Sequence, residues 1–125
     1  MKRMADILWN EDSTRTIVQN VLTSELYEVL VTEDADEVRA HVGTGGYDLL
    51  VIGPQMTEDE RTSLVQSLSA EALCYQLPVV HVSTTLPASF PFSSGNIVLC
   101  YLKSNRVTDE LFRLFLTTLH VRDAE

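Results

Sequence analysis

The stretch Tyr47-Asp48-Leu49-Leu50-Val51-Ile52-Gly53 decides how this chain folds. Four consecutive apolar residues follow a turn-forming Gly43-Thr44-Gly45-Gly46 segment. A short, unbroken apolar run of this kind suits a strand buried on both faces of a parallel sheet. Such a strand delivers its last residue to the carboxyl edge, where open α/β sheets place their chemistry. Here that residue is Gly53, which has no side chain to act as nucleophile, metal ligand or base.

Working outward, apolar runs alternate with amphipathic segments. Asp6 to Trp9 reads as a first strand and Tyr27 to Val31 as a second. Pro78 to Val82 and Asn96 to Leu102 read as a fourth and fifth. Between them, Ile17, Val18, Val21 and Leu22 recur at helical spacing, with Asp12 or Ser13 as the cap. Asp34 caps a short helix ending at Val42. Thr57 and Glu60 form a capping box ahead of Leu64, Val65 and Leu68. Thr108 caps a last helix, Asp109 to His120, with acids in its first turn as the helix dipole favours. The segment Ser83 to Gly95 carries Pro87 and Pro91 and reads as a loop, because proline lacks the amide hydrogen a helix interior needs. The expected architecture is therefore α/β: a doubly wound, five-stranded parallel sheet with the fourth helix degraded to a loop.

Residues 1–125 suit one domain with one core. Hydrophobic residues make up 45% of the chain, which argues against disorder. No apolar run approaches the roughly 18 residues of a membrane span, and a cytoplasmic location is expected. The formal net charge of −9 opposes binding to a phosphate backbone, and the few cations form no stripe. Cys74 and Cys100 lack the spacing of a redox or zinc site. His81 falls inside a strand and reads as a satisfied core or edge histidine. Asp12-Ser13-Thr14-Arg15-Thr16 has hydroxyls that suit a phosphate, but no glycine to let the backbone approach one. No P-loop, Gly-x-Ser-x-Gly elbow or Gly-x-Gly-x-x-Gly is present. No cofactor, no metal and no enzymatic activity are expected.

The core segments resemble those of response-regulator receiver domains over nearly the whole chain. Leu26-Tyr27-Glu28-Val29, Tyr47-Asp48-Leu49-Leu50-Val51, Leu77-Pro78-Val79-Val80 and Tyr101-Leu102 are similar to the second to fifth strands of that family, and Glu110-Leu111 to its last helix. The resemblance implies the flavodoxin-like receiver topology. It also implies a phosphoacceptor aspartate at Gly53, a switch hydroxyl at Ser83 and a lysine at Ser104, with Lys103 one residue early. The acidic pair that binds magnesium falls on Trp9 and Asn10 in one register, or on Glu11 and Asp12 if the loop is shorter. The first register places Asp6 inside the strand. These residues form a degenerate phosphorylation pocket, so the chain resembles the pseudo-receivers, which work by protein contact.

A protein partner or a second copy is accordingly expected. The last helix has more apolar residues than one buried face needs. Leu111, Leu114, Phe115 and Thr118 form one arc, and Phe112 and Leu116 extend it. Phe112 and Leu116, with Tyr101 and the loop residues Phe90 and Phe92, are the expected contact residues. The alternative is a small-ligand sensor or enzyme using the vacated pocket around Trp9, Asn10, Gly53 and Ser83. A pocket filled by Trp9 would favour the interaction module.

Overall fold

A computed structural model describes residues 3–85, 93–94 and 97–123. Its strands are β1 (Arg3–Leu8), β2 (Tyr27–Thr32), β3 (Leu49–Ile52), β4 (Pro78–Ser83), β5 (Ser93–Ser94) and β6 (Ile97–Lys103). The α-helices are α1 (Ser13–Ser24), α2 (Ala35–Val42), α3 (Glu58–Ser69) and α4 (Asp109–Asp123), and two 3₁₀ turns span Ala72–Cys74 and Ser104–Arg106. The sheet order is β2-β1-β3-β4-β6-β5, and every pairing is parallel except that of β5 with β6. The five long strands thus have the expected flavodoxin-like arrangement.

Three particulars differ from the sequence reading. The first strand starts at Arg3, because it pairs with β2 from Arg3↔Tyr27 onward, and it ends at Leu8. The third begins at Leu49, two residues after Tyr47. Ser93 and Ser94, placed in the loop by their composition, pair antiparallel with Val98 and Ile97 at the sheet edge. The remainder of the proline-containing segment, including Pro87, Phe90, Pro91 and Phe92, lies outside the described residues.

Alternation along the strands divides the core into two layers. Ala5, Ile7 and Trp9 of the first strand and its exit pack with Val18, Val21 and Leu22 of α1 and Phe112, Leu116 and Leu119 of α4. Leu8, Leu50 and Ile52 face Val38 and Val42 of α2 and Leu64 and Leu68 of α3. The caps are those the sequence indicated. Asp12 Oδ1 accepts from Arg15 N at 2.7 Å, Asp34 Oδ1 from Asp36 N at 2.9 Å, and Thr108 Oγ1 from Leu111 N at 3.2 Å. The Thr57–Glu60 capping box is complete. No helix among the described residues is long and apolar enough to cross a membrane.

Two interface expectations fail on burial. Phe112 and Leu116 are 0% and 1% exposed and belong to the α1–α4 core layer, so they are packing residues. Among the described side chains of α4, the exposed large apolar ones are Leu111 at 43% and Leu114 at 64%. The helix has the predicted excess of apolar side chains, but of the first arc Leu111 and Leu114 face outward while Phe115 is half-buried against the core, and the two residues expected to extend the arc outward are the buried ones. Tyr101 is half-buried and stacks on His81.

Candidate functional site

At the carboxyl edge, β1 and β3 run in parallel register with Leu8 opposite Ile52. The next residues are Trp9 and Gly53. Gly53 N donates to Leu8 O at 2.8 Å, and Trp9 N donates to Thr32 O at 3.0 Å. These ladder bonds place the fully buried indole directly beside the glycine. A Cβ on Gly53 would collide with Trp9 Cγ, lie 2.6 Å from Trp9 Cδ2 and lie 2.7 Å from Gln55 Oε1. The absence of a side chain at Gly53 and the presence of a large one at Trp9 are one packing solution. The vacated pocket of the ligand-binding alternative is thus filled by the indole.

Asp12 completes this plug. Its Oδ2 accepts from Trp9 Nε1 at 2.9 Å while Oδ1 caps α1. The indole N–H, the one polar group of a buried tryptophan, is thereby satisfied. Arg15 Nη1 donates to Trp9 O at 3.1 Å and fixes the backbone of the same residue. Asn10 and Glu11 are exposed. The residues do not fit the magnesium site of a receiver. Both Asp12 oxygens are engaged, and Trp9 and Gly53 supply no oxygen side chain where ligands would be needed. Among the described residues, no three His, Cys, Asp or Glu side chains are grouped to hold a metal ion.

Ser83 ends β4, half-buried, opposite the exposed Lys103 of β6. Ser104 is half-buried at the start of the 3₁₀ turn.

A second cluster adjoins the glycine, and the sequence did not reveal it. Arg61, in the first turns of α3, is only 3% exposed. Its Nη2 donates to Gly53 O at 2.5 Å and to Val82 O at 2.8 Å, and its Nε donates to Met56 O at 3.0 Å. Its Nη1 lies 3.3 Å from His81 Nδ1. A guanidinium only donates, so His81 Nδ1 accepts and the imidazole proton sits on Nε2. Burial, with the Arg61 charge beside it, lowers the His81 pKa to about 4. Tyr101 stacks on the other side of His81, with ring centroids 5.1 Å apart and planes 16° from parallel. Among the described residues Arg61 forms no salt bridge with a carboxylate. Its charge is dispersed over three carbonyl oxygens and a neutral imidazole.

Asp6 is the other buried charge-bearing residue near this edge. It lies in β1 with 0% exposure, and Thr32 Oγ1 donates to its Oδ1 at 2.8 Å. Its Oδ2 has no hydrogen-bond partner among the described residues. Burial raises its pKa above the ordinary carboxylate value.

An open groove of about 710 Å³ runs between the N-terminal ends of α2 and α3. Glu33, Asp34, Asp36, Asp59 and Glu60 line it, with Arg39 and Met56. Arg39 bonds Asp36 at 2.6 Å and the Ser63 and Ser67 hydroxyls, bracing α2 against α3.

No family model and no curated protein matches the sequence. Among solved structures, a response regulator receiver domain (CheY-like) from Methylobacillus flagellatus is similar, with a TM-score of 0.72. The alignment covers 94% of this chain and 98% of that one, at 15% sequence identity. With only that share of residues in common, the likeness is one of architecture: this chain has the fold of a CheY-like receiver domain.

Proposed function

We propose that this domain is a phosphorylation-independent regulatory module that acts by protein contact on a receiver scaffold. One observation carries the reading: the Trp9 indole, tethered to Asp12, fills the space beside Gly53. An acceptor side chain at residue 53 would need that same space. The receiver fold supports a signalling role, and the blocked edge supports one without phosphoryl transfer. The net charge of −9 supports a protein partner over a nucleic acid.

The contact face we assign is the outer side of α4 beside β6, where Leu111 and Leu114 stand exposed one helical turn apart. The occupant is a second copy or another protein. The Phe90–Phe92 loop precedes β6 in the chain and is assigned to the same contact.

Trp9 is the sole tryptophan and reports on the edge directly. Titration with magnesium, alone and with beryllofluoride, is expected to leave its fluorescence unchanged below millimolar metal. A saturable change at micromolar magnesium would overturn the reading, because it would require Asp12 to release the indole and bind metal.

A further inference from the structure

We propose that Arg61 is an internal clamp that fixes the carboxyl edge of the sheet in one arrangement without a ligand. The guanidinium joins two segments far apart in sequence. On one side are Gly53 O and Met56 O, from the loop that leaves β3. On the other are Val82 O and His81 Nδ1, from the end of β4. A planar fork with five donors can span such a set, whereas a single ammonium cannot.

The clamp is rigid for two reasons. Arg61 sits at the start of a helix whose own end is held by the Thr57–Glu60 box, and Arg61 N donates to Thr57 O at 2.9 Å. Its side chain therefore leaves a fixed base. At the far end, His81 is packed against Tyr101, so the imidazole that accepts from Arg61 is itself braced. A buried cation without a carboxylate is stable only while its carbonyl partners stay in place. Moving the β3–α3 loop away from β4 would strip the guanidinium of two or more acceptors inside the protein. The loop and the strand end therefore move together or not at all.

This extends the proposed function, on which it rests. A module that acts by contact without a switching event needs a fixed surface, and Arg61 holds the sheet edge at which Tyr101 of β6 stacks on His81.

The test is amide hydrogen exchange with ¹⁵N relaxation dispersion on the wild-type chain, Arg61→Lys and Arg61→Gln. In the wild type, the amides of Gly53, Gln55, Met56 and Thr57 and of Val82, Ser83 and Thr84 should show no microsecond-to-millisecond exchange. In both variants the two segments should gain exchange with a shared rate. Protection of the Gly53 amide should fall roughly tenfold or more relative to that of Val29 and Val31 in β2. Exchange at these segments in the wild type would overturn the proposal. So would an Arg61→Lys chain in which protection falls equally everywhere, which is the mark of a general packing role. If Arg61→Gln does not fold, the wild type and Arg61→Lys decide the matter. Adding magnesium and beryllofluoride to the same wild-type sample separates this from the functional reading. A shift of the Glu11, Asp12 and Gly53 amides would defeat phosphorylation independence and leave the clamp to be judged by Arg61→Lys.

Discussion

Trp9 and Gly53 divide one volume between them, and that makes their coupling measurable. Gly53→Ala should cost about 1–3 kcal/mol through overpacking against the indole. In a Trp9→Ala background the same change should cost much less, so a double-mutant cycle by urea denaturation should give a coupling above about 1 kcal/mol. Asp6 predicts the opposite sign. Its raised pKa means that folding favours the neutral carboxyl, so its contribution is fully present below the unfolded pKa and is lost as pH rises. Asp6→Asn keeps an acceptor for Thr32 and removes the charge. It should stabilise the domain at pH 7 by on the order of 1 kcal/mol, with the advantage shrinking toward pH 4. His81 titrates in a different window. Its folded pKa of about 4 lies below the ordinary 6.5, so the unfolded chain takes up the proton first as pH falls. Stability should decline between those two values by on the order of 3 kcal/mol, and His81→Gln should flatten that part of the profile. Gly53 and Trp9 were legible in the sequence because each is anomalous at its position. Arg61 was not, since a lone arginine in the first turns of an acidic helix reads as a solvated cation. The residues whose oxygens and ring nitrogen hold it lie 5 to 21 positions away.

Among the elements, α4 shows what periodicity conveys and what it leaves open. Leu111, Phe112, Leu114, Phe115, Leu116 and Leu119 cover roughly 200° of the helix surface, wider than one buried stripe, so the excess was visible but its phase was not. Phase is set by the partner layer, where α1 supplies Val18, Val21 and Leu22. It is also set by Arg113, which bonds Glu25 at 2.7 Å and Ser24 at 2.9 Å at the end of α1. That contact turns Phe112 and Leu116 inward. A Phe112→Asp, Leu116→Asp double change should therefore unfold the domain, and circular dichroism would show the loss. Phe112→Ala alone should cost about 3–5 kcal/mol. The Leu111→Asp, Leu114→Asp pair should leave the spectrum and the urea midpoint nearly unchanged. In size-exclusion chromatography with light scattering, or in binding to an identified protein partner, that pair should abolish association. Retained association would remove α4 as the contact face.

For the whole molecule, the parallel sheet followed from alternating buried runs and capped helices, while the order of its five long strands was what the resemblance to receiver domains implied. The first strand begins at Arg3, three residues before Asp6, since Arg3 and Met4 do not look like strand residues until β2 is set beside them. The two-residue β5 had no local signature, because Ser93 and Ser94 owe their pairing to the edge of β6. Under the proposed function, the carboxyl edge of this receiver fold is closed to phosphoryl chemistry by Trp9 and Gly53. Intact-mass spectrometry after incubation with magnesium and acetyl phosphate tests it most directly. An unchanged mass is expected, and a stoichiometric, acid-labile phosphoryl adduct would overturn the proposed function.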